Sequence, residues 1–468
     1  MAELIFLDKK PVAGAENEAH EPRIAFVTLG CKVNQSDTQK AIADFRSAGW
    51  RIVPPNTPAE VYVVNTCSVT QAADRKSRTW LRRSARANPS ALVVATGCYA
   101  ESGVETLEAM DEVGLIVGYK QKDDLLSLVS GELGVRGQKS EVRGQIIEVG
   151  SPSWMGADDG EAEFRSRTRA MVKIEDGCND FCTFCIIPFT RGMPRSTSTQ
   201  RVIELVEGNL AEGFREIVLT GVHMGKYGQD HAQKKRAVSD PLEAADLPSV
   251  VRAVLERTDV PRLRITSVEP TDAVMLIPLL ADAAFRGRLA PHLHLPLQSG
   301  CDATLERMKR DYSTSEYAEV VRQVREAMPG IAITADLITG FPGESEEEWR
   351  QTVEFVRGME FARVHVFPFS SRPGTPAEGM VGQVSPEVKH ARTLEMMKVS
   401  EGAEAEYAVR HLGQRRMVLW ENAEDGVWTG LTDNYLRVHT RGAADLRNVI
   451  TGARITEYDA RGLWAELV

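Results

Sequence analysis

The sequence predicts an α/β fold in three parts: an N-terminal doubly wound parallel α/β domain, a central partial (β/α)6 barrel and a small C-terminal antiparallel β-barrel. Three observations predict it. Short apolar runs alternate with helical stretches in two separate blocks of the 468-residue chain. A stretch rich in Gly, Ser and acidic residues separates those blocks. The last sixty or so residues turn to period-2 patterns punctuated by Gly and Asp-Asn. The expected boundaries are 22–130, a linker at 131–163, 164–404 and 405–468.

In the first block Ile24–Leu29, Val61–Asn65 and Ala91–Thr96 are short and rich in Val, Ile or Leu, as parallel strands buried on both faces are. The linker holds a short repeat, Val135-Arg136-Gly137-Gln138 and Val142-Arg143-Gly144-Gln145. The second block offers strands at Ala170–Ile174, Glu216–Leu219, Arg262–Thr266, His292–Leu295, Ile331–Leu337 and Arg363–Phe367. Helical patterns lie between them at Val202–Ala211, Ser315–Ala327 and Glu346–Gly358, so the sheet is parallel and curls toward a barrel. Gly228–Pro241, with Lys234-Lys235-Arg236, interrupts the alternation as an exposed insertion. Ser385 and Pro386 then open a helix, Pro386–Arg410, as N-cap and first helical residue. The tail strands are Arg416–Trp420, Gly426–Leu431, Tyr435–His439 and Asn448–Tyr458.

Composition excludes several functions. Hydrophobic residues make up 43% and charged residues 26%, which is globular and not disordered. A formal net charge of -10 excludes nucleic-acid binding by bulk charge, so any such partner is met by a local patch. No apolar run reaches the roughly 18 residues of a membrane span; the longest, Ala273–Ala281, stops at Asp282. The start lacks a basic stretch followed by an apolar one, so a soluble cytoplasmic protein with no membrane partner is expected.

The seven cysteines group as three, three and one. Cys31, Cys67 and Cys98 each directly follow an expected parallel strand. Loops after strand carboxyl ends converge on one edge of a doubly wound sheet, so these thiols can meet in space and ligate a metal. The other reading is three small buried cysteines. Cys178, Cys182 and Cys185 form a CxxxCxxC motif just after the first strand of the second block. Thiolates suit iron–sulfur clusters, and three of them leave one iron of a 4Fe–4S cluster open. Zinc sites favour paired CxxC units instead. Cys301, in a loop after a strand, reads as structural.

CxxxCxxC after the first strand of such a barrel resembles the radical S-adenosylmethionine superfamily. The match continues at Leu219-Thr220-Gly221, Ser267-Val268-Glu269-Pro270, Pro296-Leu297-Gln298-Ser299-Gly300 and Asp336-Leu337-Ile338-Thr339-Gly340-Phe341-Pro342-Gly343-Glu344, which end successive strands. The whole of 22–468 is similar to the methylthiotransferases, which join an N-terminal three-cysteine domain, a radical core and an RNA-binding TRAM barrel. Gly30-Cys31-Lys32-Val33-Asn34-Gln35, Ile187-Pro188-Phe189-Thr190-Arg191-Gly192, Thr220-Gly221-Val222-His223 and Leu295–Asp302 resemble the branch acting on N6-threonylcarbamoyladenosine in transfer RNA. Ser36-Asp37-Thr38 departs from it, since that branch often has an aromatic or small residue followed by Glu. The isopentenyladenosine and ribosomal-protein aspartate branches are the nearest alternatives; a non-catalytic iron–sulfur RNA-binding protein is the alternative of another class.

The resemblance implies two 4Fe–4S clusters, one on Cys178, Cys182 and Cys185 and one on Cys31, Cys67 and Cys98. The first would bind S-adenosylmethionine through its open iron and cleave it to a 5′-deoxyadenosyl radical. The second would hold an added sulfur that is methylated and delivered to C2 of the adenine. Cofactor contacts are expected from Phe184, Thr220, Gly221, Ser267, Glu269 and Gln298. No protein general base is expected. A low-potential electron donor of flavodoxin or ferredoxin type and a sulfur donor are required, and the substrate is the tRNA anticodon loop. Arg75, Arg78, Arg82 and Arg86 recur at helical spacing and form a stripe suited to phosphates. In Asn434-Tyr435-Leu436-Arg437-Val438, which matches a TRAM segment, Tyr435 would stack on a base and Arg437 would meet a phosphate.

Overall fold

The computed structural model describes residues 5–6, 21–133, 168–230, 246–442 and 444–468. Most of the expected linker and the Lys234–Arg236 part of the insertion lie outside the described residues. The chain divides into two compact units, the first comprising residues 1–165, 185–192 and 371–374 and the second the rest. No helix among the described residues is long and apolar enough to cross a membrane.

The first unit is built on one six-stranded sheet. Its strands are β1 (Ile5–Phe6), β2 (Arg23–Thr28), β3 (Arg51–Val53), β4 (Val61–Thr66), β5 (Leu92–Gly97) and β6 (Leu115–Val117). Their order is β1-β6-β5-β4-β2-β3, all parallel except β1 against β6. Alternation along each strand feeds two cores. Ile24, Phe26, Val61, Val63 and Val94 pack with Ile42 and Phe45 of α1 (Lys32–Ser47). Val27, Val64, Val93 and Ala95 pack with Leu81 of α2 (Gln71–Ala87) on the opposite face. Helices on both faces make the unit doubly wound, as the buried runs imply. The strand order reverses direction between β2 and β4, and such a switch point opens a crevice at the strand carboxyl ends.

The second unit carries six parallel strands: β7 (Arg169–Lys173), β8 (Glu216–Thr220), β9 (Arg262–Ile265), β10 (His292–His294), β11 (Ala332–Thr339) and β12 (Arg363–Pro368). They pair in order within two three-stranded sheets, which isolated bridges Leu263–Leu289 and Ser267–His294 join. Among the described residues nothing pairs β7 with β12, so the barrel is open. Its apolar core lies between strands and helices: Ala170, Val172, Leu219, Ile265, Leu293, Ala335 and Val364 cluster with Val202, Val254, Val324 and Val356 of the surrounding helices.

The tail closes into a five-stranded barrel, ordered β13 (Arg415–Glu424), β14 (Val427–Thr432), β15 (Arg437–Arg441), β17 (Gly462–Leu467), β16 (Ile450–Asp459). The sequence pattern did not isolate β17, whose parallel pairing Val438–Leu463 closes the ring. The expected boundary at 404/405 falls inside a continuous helix, Pro386–Val409. Its Ser400 hydroxyl bonds Val364 of β12, while Tyr407 and Ala408 join the core of the small barrel.

The small barrel seats on the amino ends of the β7–β10 strands, the end opposite the cysteine motif. Arg262 donates to the carbonyls of Met417 at 2.7 Å and Leu431 at 3.2 Å. Arg262 and Arg264 both pair with the fully buried Glu216, at 3.2 and 2.7 Å. Burial opposes ionisation of Glu216, and the guanidiniums outweigh it, holding the carboxyl down at about 2.

Candidate functional site

In the first unit the three loops at the carboxyl ends of β2, β4 and β5 carry Cys31, Cys67 and Cys98. Cys31 and Cys67 flank the topological switch point. Gly30, at φ +91°, brings its backbone so close that a Cβ there would lie 2.7 Å from the Cys67 sulfur. The Asn34 side chain straps two of the loops together, donating to Leu29 O at 2.7 Å and Thr66 O at 2.9 Å. Cys31 is the exposed member of the three. Burial, with the charges of Cys98 and Cys31 adding to it, pushes the Cys67 thiol up to about 12. Burial also raises Cys98, while Arg191 and Thr190 act to lower it. Thiolates are soft ligands of the kind that hold iron–sulfur clusters. The residues fit an iron–sulfur cluster.

In the second unit Gly177 and the turn after β7 present Cys178 and Cys182. His223, in the loop after β8, lies between two carboxylates: Nδ1 is 2.8 Å from Asp180 and Nε2 is 2.7 Å from Asp272. Cys178 Sγ is 3.6 Å from the same Nδ1. Burial works against the charged imidazole, but bonds to Asp180, Asp272 and Cys178 prevail and push it up to about 12. Cys178, Asp180 and His223 offer ligand atoms within 4.8 Å of one another.

Cys182 is buried and accepts from Arg310 Nη1 at 3.1 Å. The other Arg310 nitrogen pairs with Glu269, which burial raises despite that cation. Glu269 is thus part of the cysteine environment and not an idle strand-end charge. Cys185 lies at the start of the segment 185–192, which groups with the first unit.

The remaining expected cofactor contacts stand at strand carboxyl ends. Thr220 ends β8, buried, 3.4 Å from the Thr266 hydroxyl. Gly221 has no room for a side chain: a Cβ would meet Met224 at 2.8 Å and the Glu175 carboxylate at 3.0 Å. Ser267 bridges to His294, and Gln298 adopts φ +65° between Asp336 and Ile338 backbone bonds. Phe184 sits edge-on to Phe341, centroids 6.4 Å apart, beside Met308 and Phe369. Cys301 is buried and donates to Gln351 Oε1 at 3.3 Å, a structural role.

Among the arginines expected to meet RNA, Arg75, Arg82 and Arg86 are exposed on α2. Arg78 is instead half-buried and bonds the Tyr99 hydroxyl at 2.6 Å. Arg437 is exposed on β15. Tyr435 is different: its ring stacks on His292 at 4.3 Å under the Arg264 guanidinium at 5.0 Å. The ring is packed within the chain, on a residue with a φ of 70°.

Sequence reasoning did not single out His223, Asp272, Arg310 or Arg191. His223 stood in a quoted motif, but nothing local announces that Asp180 and Asp272 converge on it. Arg191 closes the segment after the cysteine motif, yet its partners Asn34 and Asp37 are 157 and 154 residues away.

Two family models match the chain: the uncharacterized protein family UPF0004 over residues 23–118 and the radical SAM superfamily over 172–356. A Bacillus subtilis protein named threonylcarbamoyladenosine tRNA methylthiotransferase MtaB is 36% identical, covering 92% of this chain and 93% of its own. An Aquifex aeolicus protein of the same name is 33% identical over 92% and 99%. The tRNA-2-methylthio-N(6)-dimethylallyladenosine synthase of Syntrophobacter fumaroxidans is 31% identical over 96% and 97%. Among solved structures, the radical S-adenosylmethionine methyltransferase TsrM of Kitasatospora setae, with cobalamin and a [4Fe-4S] cluster bound, gives a TM-score of 0.49 at 14% identity, covering 88% of this chain and 81% of that one. The matched models and the two MtaB relatives span the three-cysteine sheet, the cysteine motif and the open barrel, and the chain belongs to the radical SAM methylthiotransferases, of the MtaB type.

Proposed function

We propose that this enzyme 2-methylthiolates N6-threonylcarbamoyladenosine at position 37 of transfer RNA, using two 4Fe–4S clusters and S-adenosylmethionine. The observation that carries the chemistry is the second set of three thiols, gathered at the switch point of the first unit. Cys178, Cys182 and Cys185 would hold the cluster that supplies radical cleavage of S-adenosylmethionine, and Cys31, Cys67 and Cys98 would hold the sulfur-bearing centre that adding a sulfur and a methyl group calls for. Relatives named for threonylcarbamoyladenosine, at 36% and 33% identity, support this substrate over the dimethylallyl analogue at 31%.

The bound clusters and S-adenosylmethionine would supply the radical and the methylthio group. The chain would hold the parts in register. Cys178, Cys182 and Cys185 would ligate one cluster and Cys31, Cys67 and Cys98 the other. Thr220, Gly221, Ser267, Glu269 and Gln298 would line the S-adenosylmethionine site at the strand carboxyl ends, with Phe184 packing beneath. Arg75, Arg82 and Arg86 on α2, with Arg437 on the small barrel, would take phosphates of the anticodon loop. Presenting C2 of a stacked adenine costs roughly a few kcal/mol of unstacking. The balance requires a low-potential electron donor and a sulfur donor, and a tRNA substrate implies a cytoplasmic enzyme.

Nucleoside mass spectrometry of transfer RNA tests the proposal in cells lacking the gene, complemented by the parent or by Cys178→Ala. The expected result is loss of 2-methylthio-N6-threonylcarbamoyladenosine alone, restored by the parent and not by the variant. Loss of the isopentenyl analogue would overturn the substrate and keep the chemistry. An unchanged profile would overturn the tRNA substrate and turn the test to the aspartate of a ribosomal protein, whose mass unchanged as well would overturn the chemistry.

A further inference from the structure

We propose that Arg191 is a positioning residue for the N-terminal iron–sulfur site, and that its charge sets the reduction potential there. This rests on the reading of Cys31, Cys67 and Cys98 as cluster ligands.

Arg191 ends the short helix Ile187–Arg191 with its side chain 2% exposed. A guanidinium so buried needs partners that match its charge. Its nitrogens bond Asn34 Oδ1 and approach Asp37 at 3.5 Å. The helix that it ends packs against Tyr99–Ser102, whose N-cap residue is Cys98. Asn34 is the residue that straps the Cys31 and Cys67 loops together through Leu29 O and Thr66 O. One amide therefore holds two of the three thiol loops and ties them, through the arginine, to the helix that packs beside the third. Asp37 supplies the orienting carboxylate and is itself 3.3 Å from Lys122.

A cluster on three thiolates gains one negative charge when it takes an electron. A fixed cation buried among the ligand loops stabilises that reduced form, and in a buried site the effect is weakly screened. Arg191 should therefore raise the potential, and Asp37 should lower it. A tether that merely joined the helix to α1 would move the potential in no set direction.

The test uses the full-length Cys178→Ala/Cys182→Ala/Cys185→Ala chain, reconstituted anaerobically so that only the N-terminal cluster forms. Iron per chain and an EPR-monitored reductive titration are read for this parent and three variants. Arg191→Met should lower the midpoint by about 59 mV, a tenfold change in the one-electron equilibrium, and Arg191→Lys by less. Asp37→Asn should raise it. An unchanged midpoint in Arg191→Met, or shifts of the same sign in Arg191→Met and Asp37→Asn, would overturn the proposal. Should Arg191→Met hold no iron, Asp37→Asn decides: an upward shift supports the proposal and any other result overturns it. A parent that binds no cluster at all would overturn the reading of these cysteines, and this assignment with it.

Discussion

The ring of Tyr435 lies on the imidazole of His292, centroids 4.3 Å apart and planes 19° from parallel. Arg264 covers it at 5.0 Å. A side chain that composition and motif suit to base stacking is thereby committed to seating the small barrel on the open one. Tyr435→Ala should lower unfolding stability by about 1–3 kcal/mol, as packing and the stacked pair are removed. Its affinity for anticodon stem-loop RNA, measured well below the melting transition, should stay within twofold of the parent. A large affinity loss with unchanged melting would reverse this assignment.

Glu216 beneath that seat gives the interface a pH dependence. Its carboxyl titrates near 2 when folded, below an ordinary value of 4.5, because Arg264 and Arg262 outweigh its burial. A depressed folded pKa stabilises above the ordinary value, and that contribution disappears as pH falls from about 4.5 toward 2. Glu216→Gln leaves both guanidiniums buried without their carboxylate, and should cost about 3–5 kcal/mol at neutral pH. Denaturant melts from pH 7 to pH 3 check this: the parent should lose more stability on acidification than the variant. Parallel profiles would count against Glu216 as the titrating group.

The α2 arginines separate by burial. Arg75, Arg82 and Arg86 are exposed, whereas Arg78 is held by Tyr99. Replacing the first three with alanine should weaken tRNA binding and flatten its dependence on salt, by roughly 0.7 in the log–log slope for each single-stranded phosphate that is no longer neutralised. Arg78→Ala should act on melting temperature instead. Filter binding across a salt series reads the first effect and a thermal melt the second, and an unchanged slope in the triple variant would remove α2 from the RNA surface.

Much of this architecture was legible because it rests on local pattern. The runs Ile24–Leu29, Val61–Asn65 and Ala91–Thr96 match observed strands within a residue or so at each end, and the six barrel strands do likewise. Among what the pattern did not reveal are the short strands Ile5–Phe6, Arg51–Val53 and Leu115–Val117 and the closing strand Gly462–Leu467. Short and closing strands are defined by a partner more than by their own periodicity. The cysteines were legible for a similar reason, since a strand end is a local feature that the parallel sheet turns into a common edge. His223, Arg310 and Arg191 were not, because each owes its role to carboxylates or thiols brought in from other loops. Tyr435 shows the converse: the motif was visible, but its positive φ and the neighbouring His292 exist only in the fold.

Two glycines of similar backbone allow the thiol cradle to be tested apart from backbone strain. Gly30 and Gly49 have φ of +91° and +84°. An L side chain at either costs about 1–2 kcal/mol for the left-handed conformation. A Cβ at Gly49 meets nothing within 4 Å, whereas one at Gly30 meets Cys67 Sγ at 2.7 Å and Cys67 Cβ at 2.8 Å. Because Cys67 is buried against the sheet, it cannot yield without shifting its loop away from Cys31 and Cys98. Gly49→Ala should therefore lose stability and keep its iron, while Gly30→Ala should lose stability and also bind less iron. The comparison is made in the Cys178→Ala/Cys182→Ala/Cys185→Ala background, with iron and labile sulfide counted per chain after reconstitution. Equal iron in the two variants would mean that close approach at Gly30 does not shape the site, and that its glycine serves the backbone turn alone.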